Sequence, residues 1–357
     1  MTDFAAPGEP KPPLSNLQTR ILSLYKKLKE VCDERGLRYF AMWGTTLGAV
    51  LWEGFIPWDD DMDVAMPFED YRKFIEICNT ELQEDYAFTE YVWFGGKFHD
   101  KHSMFTNVFY INHPDMYNGV FLDVVPLIGV PSDSVAFQGF VDEMRVFHRT
   151  AMLKEIYDVG TTGLAELEQT ALRLQTTESF ESAQQVIDFS DPRFVLAKRG
   201  FAETVEMKFE DTVIPVSGNF EEDMRCHYGD YSKYPPVETR VSSHCLWALV
   251  DEHRGYEEFA AAYGAIEPSL RDFLDRKNHY EGTVVEALFA ATDRGDAAEK
   301  QLGLERLRRT QVEDELQHIR FSWSFRIGRA ITWPGRLLRK RTSVLVHKPS
   351  LAGAMLH

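Results

Sequence analysis

Cysteine is scarce in this chain. Cys32, Cys78, Cys226 and Cys245 are the only four in 357 residues, and no two form a CxxC pair. That spacing supports neither a zinc site nor a dithiol redox motif. Cys32 and Cys78 fall on apolar, helix-like faces and read as buried free thiols. Long apolar runs are missing as well. With no eighteen consecutive apolar residues, no transmembrane helix is expected. The proline-rich start, Met1–Pro13, lacks a basic-then-apolar pattern, so it reads as a disordered leader and not a signal peptide. There is no GxGxxG loop, no Walker A loop and no Ser-His-Asp ordering, so nothing points to covalent catalysis.

The longest stretch without acidic residues is at the C-terminal end. From Leu316 onward there is no Asp or Glu, while Arg320, Arg326, Arg329, Arg336, Arg339, Lys340, Arg341 and Lys348 give +8. Against a net charge of −17, that leaves −25 on the rest of the chain. Such an acidic body excludes nucleic acid as a partner along its length. In the basic segment, Phe321, Trp323, Phe325, Ile327, Ile331, Trp333, Leu337 and Leu338 alternate with the cations. This is the composition of a helix lying on an anionic membrane surface, and residues 319–348 are read as a basic amphipathic tail of that kind. Docking of the same helix on the acidic body is the competing expectation.

The most informative stretch is Phe55-Ile-Pro-Trp-Asp-Asp-Asp-Met-Asp-Val64, with four carboxylates in five positions. Read as a strand, it sends Asp59, Asp61 and Asp63 to one face and Asp60 and Met62 to the other. Ile56, Trp58, Met62, Val64 and Met66 interleave with the acids, which argues against a solvated acidic loop. Like charges in a partly buried segment need a cation, and oxygen ligands suit Mg²⁺ or Mn²⁺. Upstream, Leu37–Met42 is strand-like and Trp43–Leu51 reads as a tight turn opening a helix, with Thr45 or Thr46 as its cap. A helix N-terminus of this kind is a ready phosphate site. A third acid, Asp123, interrupts the apolar run Gly119–Val130 and must face solvent or meet a cation or a base partner.

The order Gly44-Thr45-Thr46, short helix, Asp61-Met62-Asp63-Val64 resembles the signature of the nucleotidyltransferase fold. The run from Trp43 to Val50 and from Gly54 to Pro67 closely resembles the LicD family, which includes phosphocholine transferases and is related to fukutin-type phosphoribitol transferases. Weaker likenesses follow at Gly119–Leu127 and at Tyr228-Gly229-Asp230-Tyr231 with Pro235, Pro236 and Arg240, so that the resemblance spans roughly residues 15–245. A zinc-binding cysteine cluster, expected in the fukutin-related branch, has no counterpart here. The resemblance implies that Asp61, Asp63 and Asp123 are the catalytic acids, holding two divalent ions, with Asp59 as a further metal candidate. Asp123 would bridge the acceptor-side ion or accept the proton of the attacking hydroxyl. Gly44, Thr45 and Thr46 would hold the donor diphosphate. Lys97 and Lys208, in strand-like settings, and the polar–aromatic block of Tyr228, Asp230, Tyr231, Arg240 and His244 complete the expected donor-binding set.

The implied reaction moves a phospho-alcohol group from a CDP-linked donor to a glycan hydroxyl, with CMP released. Phosphocholine leads, with ribitol phosphate, glycerol phosphate and phosphoethanolamine open. The acceptor would be a cell-surface glycan, lipid-linked or not, and the enzyme cytoplasmic or on the inner face of the membrane. The alternatives are nucleotidyl transfer releasing pyrophosphate and a non-catalytic scaffold of glycan assembly.

Periodicity organises the rest. Leu14, Leu17, Ile21, Leu24, Leu28 and Val31 mark a first helix, with a Ser15–Gln18 capping box and Gly36 as its stop. Pro67 opens a second helix whose core positions are Tyr71, Phe74, Ile75 and Cys78. Residues 86–94 and 104–111 read as strands. Ser134–Ile156 reads as a long helix with the stripe Val135, Phe140, Met144, Phe147 and Met152, and Met207–Pro215 returns to a strand pattern. The expected fold is α+β or α/β: a nucleotidyltransferase-like mixed sheet flanked by helices, with residues 14–250 catalytic. Residues 157–192 are expected to be an insertion and 251–318 a helical C-terminal region.

Overall fold

The computed structural model describes residues 12–107, 117–191, 194–232, 235, 240, 245–250 and 268–295. His244, the tail, residues 1–11 of the leader, and residues 251–267 and 296–318 of the C-terminal region lie outside the described residues.

The expected mixed sheet flanked by helices is what the chain builds. The first helix, α1 (Asn16–Arg35), starts at a complete capping box between Ser15 and Gln18 and stops at Gly36, whose φ of 65° is left-handed. A two-residue strand, β1 (Phe40–Ala41), leads into α2 (Trp43–Trp52). The strand β2 (Asp63–Pro67) follows, then α3 (Phe68–Glu81), β3 (Tyr86–Tyr91), β4 (Gly95–Asp100) and β5 (Ser103–Asn107). The strand β6 (Phe121–Gly129) is buried along its whole length. It pairs parallel with β2 on one edge and antiparallel with β4 on the other.

Residues 157–192 contribute to this core. After α4 (Ser134–Tyr157) they supply α5 (Leu164–Gln175) and β7 (Gln185–Asp188), which pairs with the last residues of β6. Short β8 (Val195–Ala197) pairs with β7, and α6 (Lys198–Ala202) leads to the hairpin of β9 (Val205–Phe209) and β10 (Thr212–Val216). Next come α7 (Phe220–Tyr228) and β11 (Cys245–Val250), which pairs with β5. The helix α8 (Pro268–Asp293) packs Val284, Val285 and Leu288 against Leu153, Ile156 and Tyr157 of α4. No described helix is long and apolar enough to cross a membrane.

Alternating side chains divide the apolar residues of the sheet between its two faces. Val64, Met66, Phe98, Leu122, Val124 and Ile128 belong to the main core, with α1 and α3. Ala65, Val125, Leu127 and Val186 pack in a second cluster with Phe40, Met42 and Phe201. Each fully buried large apolar side chain contributes about 1.5–3 kcal/mol. Cys32 and Cys78 are buried free thiols, as read from their helical positions.

Three local expectations are corrected. The acid run is not a strand throughout: β2 begins only at Asp63, and Asp59–Met62 is irregular. The cap of α2 is neither Thr45 nor Thr46. Both lie inside the helix, and its N-cap Met42 makes no side-chain bond. In α4, Phe140, Met144 and Phe147 are buried as expected, but Val135 is 80% exposed because it lies in the first turn, beyond the packed stretch.

One close approach sets where α2 lies. A Cβ on Gly48 would stand 2.4 Å from the Gly54 carbonyl oxygen and 3.3 Å from the Ile56 nitrogen. Gly48→Ala is therefore expected to lower stability by about 1–3 kcal/mol, the usual cost of overpacking against backbone. Chemical denaturation of the variant checks this, and an unchanged midpoint would mean that α2 can shift away from the loop.

Candidate active site

The site forms where three neighbouring strands present polar side chains at one level. Register places Asp63 of β2 opposite Asp123 of β6, and Asp123 opposite Lys97 of β4. Asp61, just before β2, completes the group. Ligand oxygens of Asp61, Asp63 and Asp123 all lie within 4.8 Å of one another. These three residues are only 7%, 7% and 5% exposed. Lys97 Nζ stands 2.5 Å from Asp123 Oδ1, and its ammonium lies 3.5 Å from the Phe121 ring centre and 5.2 Å from that of Phe94.

The loop ahead of β2 forms a second acidic group, in which Asp59, Asp60 and Asp61 come together. Asp60 was expected on the opposite face. Without the alternation of a strand at 59–62, it turns inward and is buried with Asp61.

Backbone bonds knit this loop to its surroundings. The Asp123 N–H donates to the Met62 carbonyl at 2.9 Å, and the Met42 N–H to the Asp63 carbonyl at 3.1 Å. The Asp63 N–H donates to Thr45 Oγ1 at 2.8 Å, tying the first turn of α2 to the first residue of β2. Gln18 serves two tasks. Its Oε1 accepts from Ser15 in the capping box, while its Nε2 donates to the Asp59 carbonyl at 3.0 Å and to the Ile56 carbonyl at 3.3 Å. The capping role is readable from spacing; the clamp on the acid loop, 41 residues away, is not. Glu210, in the turn of the β9–β10 hairpin, accepts from the Phe55 N–H at 2.9 Å.

The N-terminus of α2 faces the acids closely: a Cβ at Gly44 would sit 3.0 Å from Asp59 Oδ2. The first-turn N–H groups of Trp43, Gly44 and Thr45 have no earlier turn of helix to bond to. Trp43 adopts φ 37°, where a bulky residue costs about 1–3 kcal/mol and is held only by its surroundings. Its indole lies at a narrow cleft lined also by Met42, Thr46, Asp223, His227 and Tyr228. The Trp43 Nε1 is buried and has no hydrogen-bond partner among the described residues.

The expected donor-binding residues are distributed unevenly. Tyr228 ends α7, and its hydroxyl titrates well above its usual range. Burial is the main cause, followed by the charges of Asp63, Asp59 and Asp61. The residue is nevertheless 41% exposed, so the protein and the acids crowd it on one side only. Arg240 is buried, with its guanidinium 5.3 Å from the centre of the Trp58 ring, which itself meets Trp52 edge-on. Lys97 is at the cluster, joined to Asp123. Lys208 lies exposed on β9, paired with Glu53 at 2.6 Å. Asp230 is exposed and accepts from Ser232 Oγ at 2.6 Å. Sequence reading missed the clamp of Gln18 on the acid loop, the inward turn of Asp60 and the edge-on pair of Trp52 and Trp58. Tryptophans so close to the acid run were the available signal.

The chain is similar to known proteins over part of its length. Residues 36–151 match the family model described as LicD/FKTN/FKRP, nucleotidyltransferase domain. That span holds Gly44, Thr45, Asp59–Asp63, Lys97 and Asp123, but not Lys208, Tyr228 or Arg240. The lipopolysaccharide cholinephosphotransferase LicD of Haemophilus influenzae is 22% identical over 264 residues, covering 66% of this chain and 98% of that protein. An uncharacterized protein of Rickettsia typhi is 31% identical over 110 residues, 28% of this chain and 36% of its own length. Another, from Rickettsia prowazekii, is 41% identical over 54 residues, 14% and 20% of the two chains.

The turn carrying Phe94 towards Lys97 is held from α4. Glu155 Oε2 accepts from the Val92 N–H at 2.9 Å. Burial raises the Glu155 carboxyl from 4.5 to about 7, against the Val92 and Trp93 N–H groups, which pull it down. The folded state thus keeps a proton that the unfolded chain releases. The stabilisation is complete below a pH of about 4.5 and is lost as pH rises through about 7. Between a pH of about 5 and about 8, the wild type should lose stability relative to Glu155→Gln in denaturant titrations. Parallel profiles would mean that this carboxyl titrates as an ordinary one.

Proposed function

We propose that this chain, whose residues 36–151 form a LicD-type nucleotidyltransferase domain, moves a phospho-alcohol group from a CDP-linked donor to a hydroxyl of a cell-surface glycan, releasing CMP. It is a transferase of phosphate-containing groups. The observation that carries the proposal is the convergence of Asp61, Asp63 and Asp123 beside the first turn of α2. Phosphocholine is the group of first choice, because the similar Haemophilus influenzae protein is a lipopolysaccharide cholinephosphotransferase. Ribitol phosphate, glycerol phosphate and phosphoethanolamine are the other candidates, and a lipid-linked glycan is among the candidate acceptors.

The donor set fits a hard divalent cation, since every ligand is a carboxylate oxygen. Asp61, Asp63 and Asp123 would hold Mg²⁺ or Mn²⁺, with Asp59 beside them. Such an ion would neutralise charge on the transferring phosphoryl group and lower the cost of deprotonating the acceptor hydroxyl. The chain's own groups do the positioning. The first-turn N–H groups of α2 receive the diphosphate, and Gly44 lets the backbone approach it. Thr45, bonded to the Asp63 N–H, keeps that turn in register with the acids. Trp43, Thr46 and Tyr228 line a narrow cleft available to the nucleotide and the alcohol, and Arg240, over Trp58, is a further candidate. Asp123 Oδ1 already accepts from Lys97, which supports a ligand role over that of a proton acceptor.

Asp61→Asn and Asp63→Asn should each lower turnover by at least about a hundredfold, the scale of losing a metal clamp. Both variants should fold, because each relieves like-charge repulsion. Transfer from CDP-choline to lipopolysaccharide is the assay, and excess EDTA should abolish it. Recovery of pyrophosphate in place of CMP would identify the reaction as nucleotidyl transfer. Full activity of both variants would remove the acids from the chemistry.

The basic tail, 319–348, is proposed to hold the enzyme on the inner face of the membrane, with about 1 kcal/mol from each cation near an anionic bilayer. The full chain should sediment with anionic vesicles at low salt and leave them at high salt. Equal sedimentation by a chain ending at Gln317 would rule the tail out as the anchor.

A further inference from the structure

Gln18 is an amide placed on the apolar face of α1. Its neighbours Leu17, Ile21 and Leu22 belong to the main core, and Gln18 itself is only 5% exposed. A buried amide is costly unless its hydrogen bonds are made. Oε1 accepts from the Ser15 N–H at 3.1 Å. Nε2 carries two protons and donates to two carbonyls, that of Ile56 at 3.3 Å and that of Asp59 at 3.0 Å.

Those two carbonyls are the first and last of one turn. The Asp59 N–H donates to the Ile56 carbonyl at 3.0 Å, which closes Ile56, Pro57, Trp58 and Asp59 as a β-turn with proline at its favoured second position. Such a turn does not by itself decide how the next peptide points. The Asp59 carbonyl belongs to the peptide that leads into Asp60, so the Gln18 amide fixes the plane from which Asp60 and Asp61 depart. At the other end of the irregular segment, the Met62 carbonyl accepts from the Asp123 N–H at 2.9 Å. Asp60 and Asp61 are thus slung between two anchored peptides, one tied to α1 and the other to β6.

A ligand loop that is ordered before its ion arrives gives up little conformational freedom on binding. We propose that Gln18 is a positioning residue of the metal centre. Through the Asp59 carbonyl it sets where the carboxylates of Asp59, Asp60 and Asp61 stand, and so sets the affinity of the centre for a divalent ion. This deepens the metal reading given under Proposed function and rests on it. Gln18 acts through the backbone of the loop, from the same side chain that caps α1.

The capping box lets the two roles be separated. Ser15→Ala removes the hydroxyl that accepts from the Gln18 N–H and leaves the Gln18 amide in place. Gln18→Met keeps the length of the side chain and removes its donor. The test is a Mn²⁺ titration of the full chain, with free Mn²⁺ read by electron paramagnetic resonance, beside a denaturant titration of each variant. Ser15→Ala should lower the denaturation midpoint and keep the wild-type Mn²⁺ affinity. Gln18→Met should bind Mn²⁺ at least about tenfold more weakly, the scale for groups that orient metal ligands. Gln18→Glu takes its place if Gln18→Met does not fold by circular dichroism. It has the size of Gln18, can still accept from Ser15 and, when ionised, cannot donate; its negative charge would by itself draw a cation in, so weaker binding there reads the lost hold. Wild-type or tighter Mn²⁺ binding by the folded Gln18 variant, or an equal loss in Ser15→Ala, would overturn the proposal. Absence of any Mn²⁺ binding by the wild type would instead overturn the metal reading on which it rests.

Discussion

Negative charge removed from water must be balanced, and that constraint organises this molecule. Asp61, Asp63 and Asp123 are held together, each less than one-tenth exposed, the last two on strands whose other residues are apolar. Left unbalanced, such a group would cost several kcal/mol per charge. The surroundings answer with positive charge and dipoles. Lys97 joins Asp123, the first turn of α2 faces Asp59, and Arg240 stacks on Trp58 beside the acid run. The two acidic groups, with carboxylate oxygens within 4.8 Å of one another, have the make-up that suits a divalent cation.

The scaffold makes that arrangement rigid. β6 is the central strand, paired on both edges, so Asp123 has little freedom to move. The irregular segment Asp59–Met62 would be mobile by itself. Gln18 from α1 and the Asp123 N–H each hold one part of it, and Glu210 from the hairpin holds Phe55 just upstream. Three elements far apart in the chain thus converge on residues 55–62. The Trp43 backbone conformation belongs to the same pattern, since an unfavourable φ persists only where neighbouring packing demands it.

Much of this was legible in the residues. α1 was readable because its spacing, capping box and terminal Gly36 all give the same answer. Asp123 stood out because a carboxylate in a wholly apolar run has few explanations. The acid run was legible as chemistry but misleading as structure. Alternation is a property of strands, and 59–62 does not form one, so Asp60 turned inward against the pattern. Thr45 was read as a cap because its hydroxyl is suited to one; the fold uses that hydroxyl on the Asp63 N–H, 18 residues further along the chain.

The sequence by itself determined the identities of the acids, the periodic faces that make α1, α3 and α4 amphipathic, and the apolar character of β6. These are local properties, read from residues a few positions apart. Only the tertiary structure decided that Asp63, Asp123 and Lys97 share one level across three strands, and that Gln18 closes the acid loop. Their partners lie 26 to 60 residues apart in the chain. Strand register is set by the packing of whole strands against both cores, and a shift of one residue would turn Asp123 to the opposite face.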